Sequence, residues 1–149
     1  MTLPYAEGSV FLVPLRDGGY GRGVVARATP KGRVIFGYFF GPRMASSEAL
    51  PPDGLAPQRA VLRIRFGDLG LINGEWRVLG RLPNWNRSDW PISDFLRRPP
   101  GMRARQVRYA DDDPNRVEAE YPAEDDVKLE TDSLSGYRSV EIKLNKLCD

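Results

Sequence analysis

The sequence of 149 residues contains no histidine and a single cysteine, Cys148. Histidine is the most common ligand of catalytic zinc and the usual general base near neutral pH. Its absence argues against metal-dependent hydrolases and against catalytic triads that need an imidazole. One cysteine cannot form an internal disulfide, so the chain suits a reducing compartment.

Long hydrophobic runs are missing as well. No apolar stretch approaches the roughly 18 residues of a membrane-spanning helix. The N-terminal sequence MTLPYAEGS also lacks the basic start and apolar core of a signal peptide. We therefore expect a cytoplasmic protein with no membrane partner. The length is typical of one domain, and we predict a single domain over residues 1–149.

Glycine, in contrast, is abundant in the sequence PLRDGGYGRGVVAR, where four glycines occupy six positions. A phosphate-binding loop would close with Gly-Lys-Ser/Thr, and a dinucleotide fingerprint would open a helix. Here the β-branched sequence VVARA follows, which indicates a strand. Asp17-Gly18 is a favoured turn dipeptide, so we predict a hairpin and no cofactor site.

Segments rich in β-branched and aromatic residues recur along the chain and predict short strands. They are GSVFLVPL, GVVARA, RVIFGYFFG, AVLRIRFG, EWRVLGRL, RARQVRYA and RVEAEYP. Asn73-Gly74 predicts a hairpin between the fourth and fifth, and DDDPN predicts a turn between the last two. Two loops interrupt the pattern: PRMASSEALPPDGLAP, with one helical turn at SSEAL, and PNWNRSDWPISDFLRRPPGMR.

The C-terminal segment favours a helix. Tyr137, Val140, Leu144 and Leu147 follow helical spacing, with Ser139 available as a cap. The competing strand interpretation places Val140, Ile142 and Leu144 on one face. The predicted fold is therefore mainly β (α+β): a strongly bent antiparallel sheet or a small SH3-like barrel with a short C-terminal helix.

Three tryptophans lie within fifteen positions. Trp76 falls in a predicted strand, so we assign it to the core. Trp85 and Trp90 lie in the polar loop, where they either pack inward or face a partner. Arg87 and Asp89 beside them either pair with each other or offer contacts outward.

Charge is segregated along the sequence. Residues 1–106 carry 16 basic and 8 acidic side chains, whereas residues 107–132 carry 3 basic and 10 acidic ones. Such asymmetry bears on partners and on association rates, although a solvated loop is the alternative. A basic cluster at Arg97, Arg98, Arg103 and Arg105 makes a nucleic-acid-binding small barrel the third-ranked function. The adjacent acidic segment would repel phosphate, so nucleic acid is not an expected partner.

The consecutive carboxylates of Asp111, Asp112 and Asp113 precede Pro114. Calcium loops of the EF-hand type alternate their ligands instead, so this sequence predicts a solvated turn and no metal site. Serines occur without histidine, and no G-x-S-x-G motif is present. Nothing in the sequence assembles a catalytic group.

Several motifs carry a family resemblance. RFGDLGL and WNRSDWP, together with the glycine-rich hairpin, resemble the immunity protein 26 family of bacterial polymorphic toxin systems. The resemblance implies a small cytoplasmic protein, not an enzyme, which binds a cognate protein toxin and blocks it in the producing cell. Some relatives in the same broad family are named small phosphotriesterases. A phosphotriester hydrolase is therefore the implied alternative, which the absence of histidine disfavours.

We predict that the partner-binding surface combines the acidic turn with the tryptophan loop. Its residues are Asp111, Asp112, Asp113, Trp85, Arg87, Asp89 and Trp90. The acidic stretch opposes the charge of a protein that acts on nucleic acid, so a nuclease is the toxin class we expect. Aromatic side chains anchor many protein interfaces, which is the reason for including the tryptophans.

Overall fold

The computed structural model describes residues 2–45 and 55–148. Within them lie nine strands and two α-helices: β1 Ser9–Pro14, β2 Tyr20–Arg27, β3 Val34–Met44, β4 Leu62–Gly67, α1 Leu69–Ile72, β5 Val78–Arg81, β6 Phe95–Arg97, β7 Arg105–Ala110, β8 Asp113–Pro122, β9 Leu134–Ser135 and α2 Tyr137–Leu147. The helical turn predicted at SSEAL lies outside the described residues.

The strands form two sheets. Six strands lie in the order β5-β1-β2-β3-β4-β9, and three lie in the order β6-β7-β8. All pairs are antiparallel except β4 with β9. The predicted mainly β fold with an antiparallel sheet and a C-terminal helix is confirmed. The described strands do not close into a barrel, so the barrel alternative is wrong.

One face of the six-stranded sheet packs under α2. Alternation along the strands places Phe11, Phe39 and Phe66 on this face, with Trp76 stacked on Phe11 at 5.5 Å between ring centroids. Trp76 is only 1% exposed, which confirms its assignment to the core. This side of the molecule is held together by apolar and aromatic contacts and by a buried hydrogen bond, which the Trp76 Nε1 donates to Glu141 Oε2 at 2.9 Å.

The opposite face packs against the three-stranded sheet. Phe36 and Tyr38 on β3 lie in a second core cluster with Phe95 on β6 and Val107 on β7. The ring centroids of Phe36 and Phe95 are 6.0 Å apart at an edge-to-face angle. The six-stranded sheet is therefore buried on both sides.

The glycine-rich segment is a hairpin between β1 and β2, as predicted. Gly18 and Gly19 have φ of 102° and 74°, values that an L side chain rarely adopts. Gly23 has a different role, because a Cβ there would lie 2.3 Å from the ring of Phe11. The sequence predicted the turn but not this close packing.

The hairpin predicted at Asn73-Gly74 is wrong. These residues instead end the short helix α1, where the Asn73 N–H donates to the Leu69 carbonyl at 2.9 Å. Strand β5 then crosses the sheet to pair with β1 rather than with β4. The reason lies in the core. The main-chain N–H of Trp76 donates to the Gly70 carbonyl at 2.9 Å, and the indole of Trp76 packs in the core cluster under the sheet.

The C-terminal segment is helical, and the strand interpretation is wrong. Val140 and Leu144 are fully buried, whereas Ile142 is exposed. The predicted cap at Ser139 is also wrong, because the helix begins at Tyr137 with Gly136 as its N-cap. The Gly136 carbonyl accepts the Val140 N–H at 3.1 Å, which places Ser139 inside the first turn.

The second polar loop contains more order than the sequence indicated. The second loop includes a 3₁₀ turn, Arg87–Asp89, and the short strand β6. A turn predicted at DDDPN is present at Asp111 and Asp112, but Asp113, Pro114 and Asn115 already belong to β8. In the described residues, no helix is both long enough and apolar enough to cross a membrane.

Candidate partner-binding surface

The acidic turn (residues 111–113) and the tryptophan loop (residues 82–93) are far apart in sequence but touch in the structure. Arg87 donates from both terminal nitrogens to Asp111, one bond reaching its carboxylate and the other its main-chain carbonyl. The Arg87 Nε also donates to Oε1 of Glu7 at 2.8 Å. The two segments that we predicted to form one surface are therefore neighbours, joined by Arg87.

Arg27, at the end of β2, fastens the same junction from beneath. Its side chain is buried, and its Nε donates to Oδ1 of Asp111 at 2.9 Å. Its Nη1 donates to the carbonyl of Trp90 at 2.9 Å. The hydrogen bond from Arg87, reinforced by Arg27 and opposed by partial burial, lowers the pKa of Asp111.

The three aspartates differ in their surroundings. Asp111 has a side chain that is 63% exposed and is shared by two arginines. Asp112 is 78% exposed and pairs with Arg116 at 2.8 Å. Asp113 is the first residue of β8, and its Oδ1 accepts the Asn115 N–H at 2.9 Å. The turn is therefore less negative than its sequence suggests.

The two tryptophans of the loop also differ. Trp90 is only 3% exposed, because its ring packs edge-on against Tyr38, with 5.0 Å between centroids, and also against Phe40. The interpretation in which Trp90 faces a partner is therefore wrong. Trp85 is half-buried beside Trp90. Asp89 is exposed, and Arg87 forms its ion pairs with Glu7 and Asp111 instead.

A second buried arginine, Arg65 on β4, contacts the β7–β8 hairpin next to the acidic turn. Its Nε donates to the Pro114 carbonyl at 2.7 Å, and its Nη1 donates to the Tyr109 hydroxyl at 2.8 Å. The guanidinium lies 3.9 Å from the centroid of the Tyr109 ring and forms an ion pair with Asp132. Within the six-stranded sheet, Arg27 and Arg65 both lie opposite Phe36.

The charge segregation of the sequence is thus satisfied in part inside the molecule. Arginines from the first 106 residues pair with carboxylates of residues 107–132: Arg27 and Arg87 with Asp111, Arg65 and Arg97 with Asp132, and Arg97 and Arg105 with Glu120. The sequence analysis did not predict these pairs. The opposite charges of residues 1–106 and 107–132 were the signal that could have indicated them. The same pairs occupy part of the basic cluster that suggested nucleic-acid binding.

Some carboxylates of the acidic stretch have no ion-pair partner among the described residues. In the described part of the chain, six of them form no ion pair: Asp113, Glu118, Glu124, Asp125, Asp126 and Glu130. Apart from the half-buried Asp113, these residues are exposed. No group of three or more histidine, cysteine, aspartate or glutamate side chains is placed to hold a metal ion among the residues described.

Comparison with known proteins identifies the family. A family model described as Immunity protein 26 matches residues 6–100, well over half of the chain. The chain belongs to the immunity protein 26 family. The resemblance seen in the sequence motifs is confirmed. Searches of curated proteins and of solved structures each found no match.

The limits of the family match divide the candidate surface. Strands β1 to β6 and the whole tryptophan loop lie within the matched residues of this immunity protein 26 member. The β7–β8 hairpin and its acidic turn lie beyond residue 100. The surface is therefore built from one segment that the family model covers and one that it does not.

Proposed function

We propose that this protein binds a cognate bacterial polymorphic toxin in the cytoplasm of the producing cell and neutralises it by binding, not by catalysis. The observation that carries the proposal is the immunity protein 26 match over residues 6–100. The absence of histidine from the sequence supports action by binding.

The proposed contact surface remains the acidic turn with the tryptophan loop. Asp112 and Asp89 offer exposed carboxylates there, and Trp85 offers part of an aromatic ring. Trp90 supports the loop from below. Asp111 and Arg87 lock the two segments together.

The toxin class we propose is a nuclease. A protein that acts on nucleic acid needs a basic surface. The six carboxylates without ion pairs leave the acidic stretch able to attract such a surface at short range. The excess of basic residues in positions 1–106 limits attraction by the molecule as a whole.

Co-expression tests the proposal. The toxin domain encoded by the adjacent gene is produced with and without this protein, and growth is scored. We expect growth to be restored, and we expect the purified protein to form a complex with an inactivated toxin domain. Growth arrest together with no complex would contradict the proposal.

Titration separates binding from catalysis. The toxin's activity is measured against increasing amounts of the purified protein. A binding inhibitor abolishes activity near equimolar ratio, whereas an enzyme that modified the toxin would do so at a small fraction of that ratio. Complete inactivation at about one hundredth of the toxin concentration would contradict neutralisation by binding.

A further inference from the structure

A groove runs beside the tryptophan loop. It consists of three adjoining hollows of about 580, 310 and 490 Å³. The first and second hollows share Gln58 and Asp89, and the second and third share Arg63 and Ser93. Because neighbouring hollows share lining residues, they lie side by side along one stretch of the surface.

The middle of the groove is built from side chains that are already fixed. Tyr38 rises from β3 and donates its hydroxyl to the Pro91 carbonyl. The Arg63 guanidinium lies 5.1 Å from the centroid of the Tyr38 ring and donates to the Pro57 carbonyl at 2.9 Å. A surface that is ordered before binding loses less conformational entropy when a partner docks.

One end of the groove is basic. Arg98 and Lys128 are exposed there, whereas Asp89 is exposed where the first and second hollows meet. In the described ranges, neither Arg98 nor Lys128 forms an ion pair within the molecule.

Two carboxylates also line the basic end. Asp94 is held by Gln106 at 2.6 Å and by Arg108 at 3.2 Å, so its charge is compensated. Glu130 is exposed and offsets only one of the cations. The basic end therefore keeps a net positive charge, to which a negative group is attracted.

We propose that an extended segment of the partner toxin lies in this groove, with an acidic side chain near Arg98 and Lys128. The proposal rests on the proposed function, since it names where the toxin docks. The fixed positions of Tyr38 and Arg63 let a partner segment dock with little rearrangement of the groove, and the net positive charge at the basic end attracts the acidic side chain. A second copy of this protein is the competing occupant, which the experiment below distinguishes.

Site-specific photo-crosslinking locates the contact. A photoreactive amino acid is placed at Gln58 in the groove or, as a control, at Lys146 on α2, both of which are exposed. Each protein is irradiated with the inactivated toxin domain from the adjacent gene. We expect an adduct with the toxin from position 58 and none from position 146. An adduct from position 146 alone, or a self-adduct from position 58 alone, would overturn the proposal.

Charge reversal supplies the second test. Arg98→Glu combined with Lys128→Glu should weaken toxin binding by about tenfold or more, because like charges then meet across the interface. Lys146→Glu, a matched reversal of an exposed lysine outside the groove, should change binding less than twofold. Circular dichroism confirms that all variants are folded.

The outcomes separate the two proposals. Wild-type affinity in the double variant would contradict the groove while leaving the proposed function intact. Failure of the wild-type protein to bind the toxin at all would contradict both.

Discussion

The two faces of the six-stranded sheet are covered in different ways. Under α2, the contacts are aromatic and aliphatic, centred on Trp76 and Phe11. Under the three-stranded sheet, apolar packing surrounds two buried arginines, Arg27 and Arg65, whose partners are carboxylates, carbonyls and a tyrosine hydroxyl. Both faces contain buried directional bonds, such as the one from the Trp76 Nε1 to Glu141 Oε2 at 2.9 Å on the first face, but the two buried guanidinium groups lie on the second.

The difference explains the unusual distribution of charge along the chain. A buried guanidinium needs partners in fixed positions, because an unpaired buried charge is costly. The acidic stretch of residues 107–132 supplies such partners, because Asp111 pairs with Arg27 and Asp132 pairs with Arg65. The tryptophan loop and the acidic turn, both part of the proposed contact surface, lie on this arginine-bearing side.

The largest effect should come from the helix-covered face. Trp76→Ala should lower the free energy of unfolding by about 3–5 kcal/mol, because it opens a large cavity in an apolar core. Urea unfolding monitored by circular dichroism measures the loss. Trp85→Ala, which removes a half-buried ring on the other face, should lower the free energy of unfolding clearly less. Equal losses would contradict the assignment of these two side chains.

On the arginine-bearing face, Arg65→Met should lower the free energy of unfolding by about 3 kcal/mol. The substitution removes the hydrogen bonds that Arg65 donates to four acceptors, and it leaves Asp132 without one of its two arginine partners. Arg116→Met removes an exposed ion pair and should change stability by about 0.5 kcal/mol or less. Similar urea midpoints for the two variants would show that the buried pair does not hold the sheets together.

A smaller effect distinguishes the aspartates of the acidic turn. Asp111→Asn should cost about 1 kcal/mol, because Arg27 is buried and loses its charged partner. Asp112→Asn should stay within about 0.5 kcal/mol, since its ion pair is exposed. Thermal unfolding of the two variants side by side measures the difference. A greater loss in Asp112→Asn than in Asp111→Asn would reverse the assignment.

The smallest effect should be the pH dependence of stability that comes from the ion pairs of Asp111. The pKa of Asp111 is lowered in the folded protein, chiefly by Arg87, from an unfolded value of about 3.9. A lowered folded pKa adds stability above the unfolded pKa, and this contribution disappears as the pH falls through the folded value. Between pH 5 and pH 2, Asp111→Asn should therefore lose less stability than the wild type. Parallel curves from urea titrations at each pH would contradict the ion pair.

Much of the fold follows from local sequence patterns. Seven of the nine described strands, the glycine-rich hairpin and the turn before β8 follow from β-branched runs and turn residues, and α2 follows from its helical spacing. The short elements β6, β9 and α1 were not predicted. The path of β5 does not follow from such patterns, because it is decided by Trp76 reaching the core through Gly70, a contact between residues that no local pattern links. Tertiary packing overrode a favourable hairpin dipeptide.

The candidate surface was foreseen only in outline. The sequence brought the acidic turn and the tryptophan loop together as a hypothesis, and the bond from Arg87 to Asp111 makes them neighbours. It did not show that Trp90 points inward or that Arg27 holds Asp111, since both depend on which strand faces lie opposite each other. Acidic residues that look available in sequence can be committed inside the fold.

Hydrogen exchange of the protein with and without the inactivated toxin domain shows which segments the partner covers. If the partner docks on the arginine-bearing side, amide exchange should slow in the tryptophan loop and in the segments that line the groove, residues 57–63 and 94–98. Exchange in α2, Tyr137–Leu147, should be unchanged by the toxin. Protection confined to α2, with the tryptophan loop exchanging as in the free protein, would contradict the account.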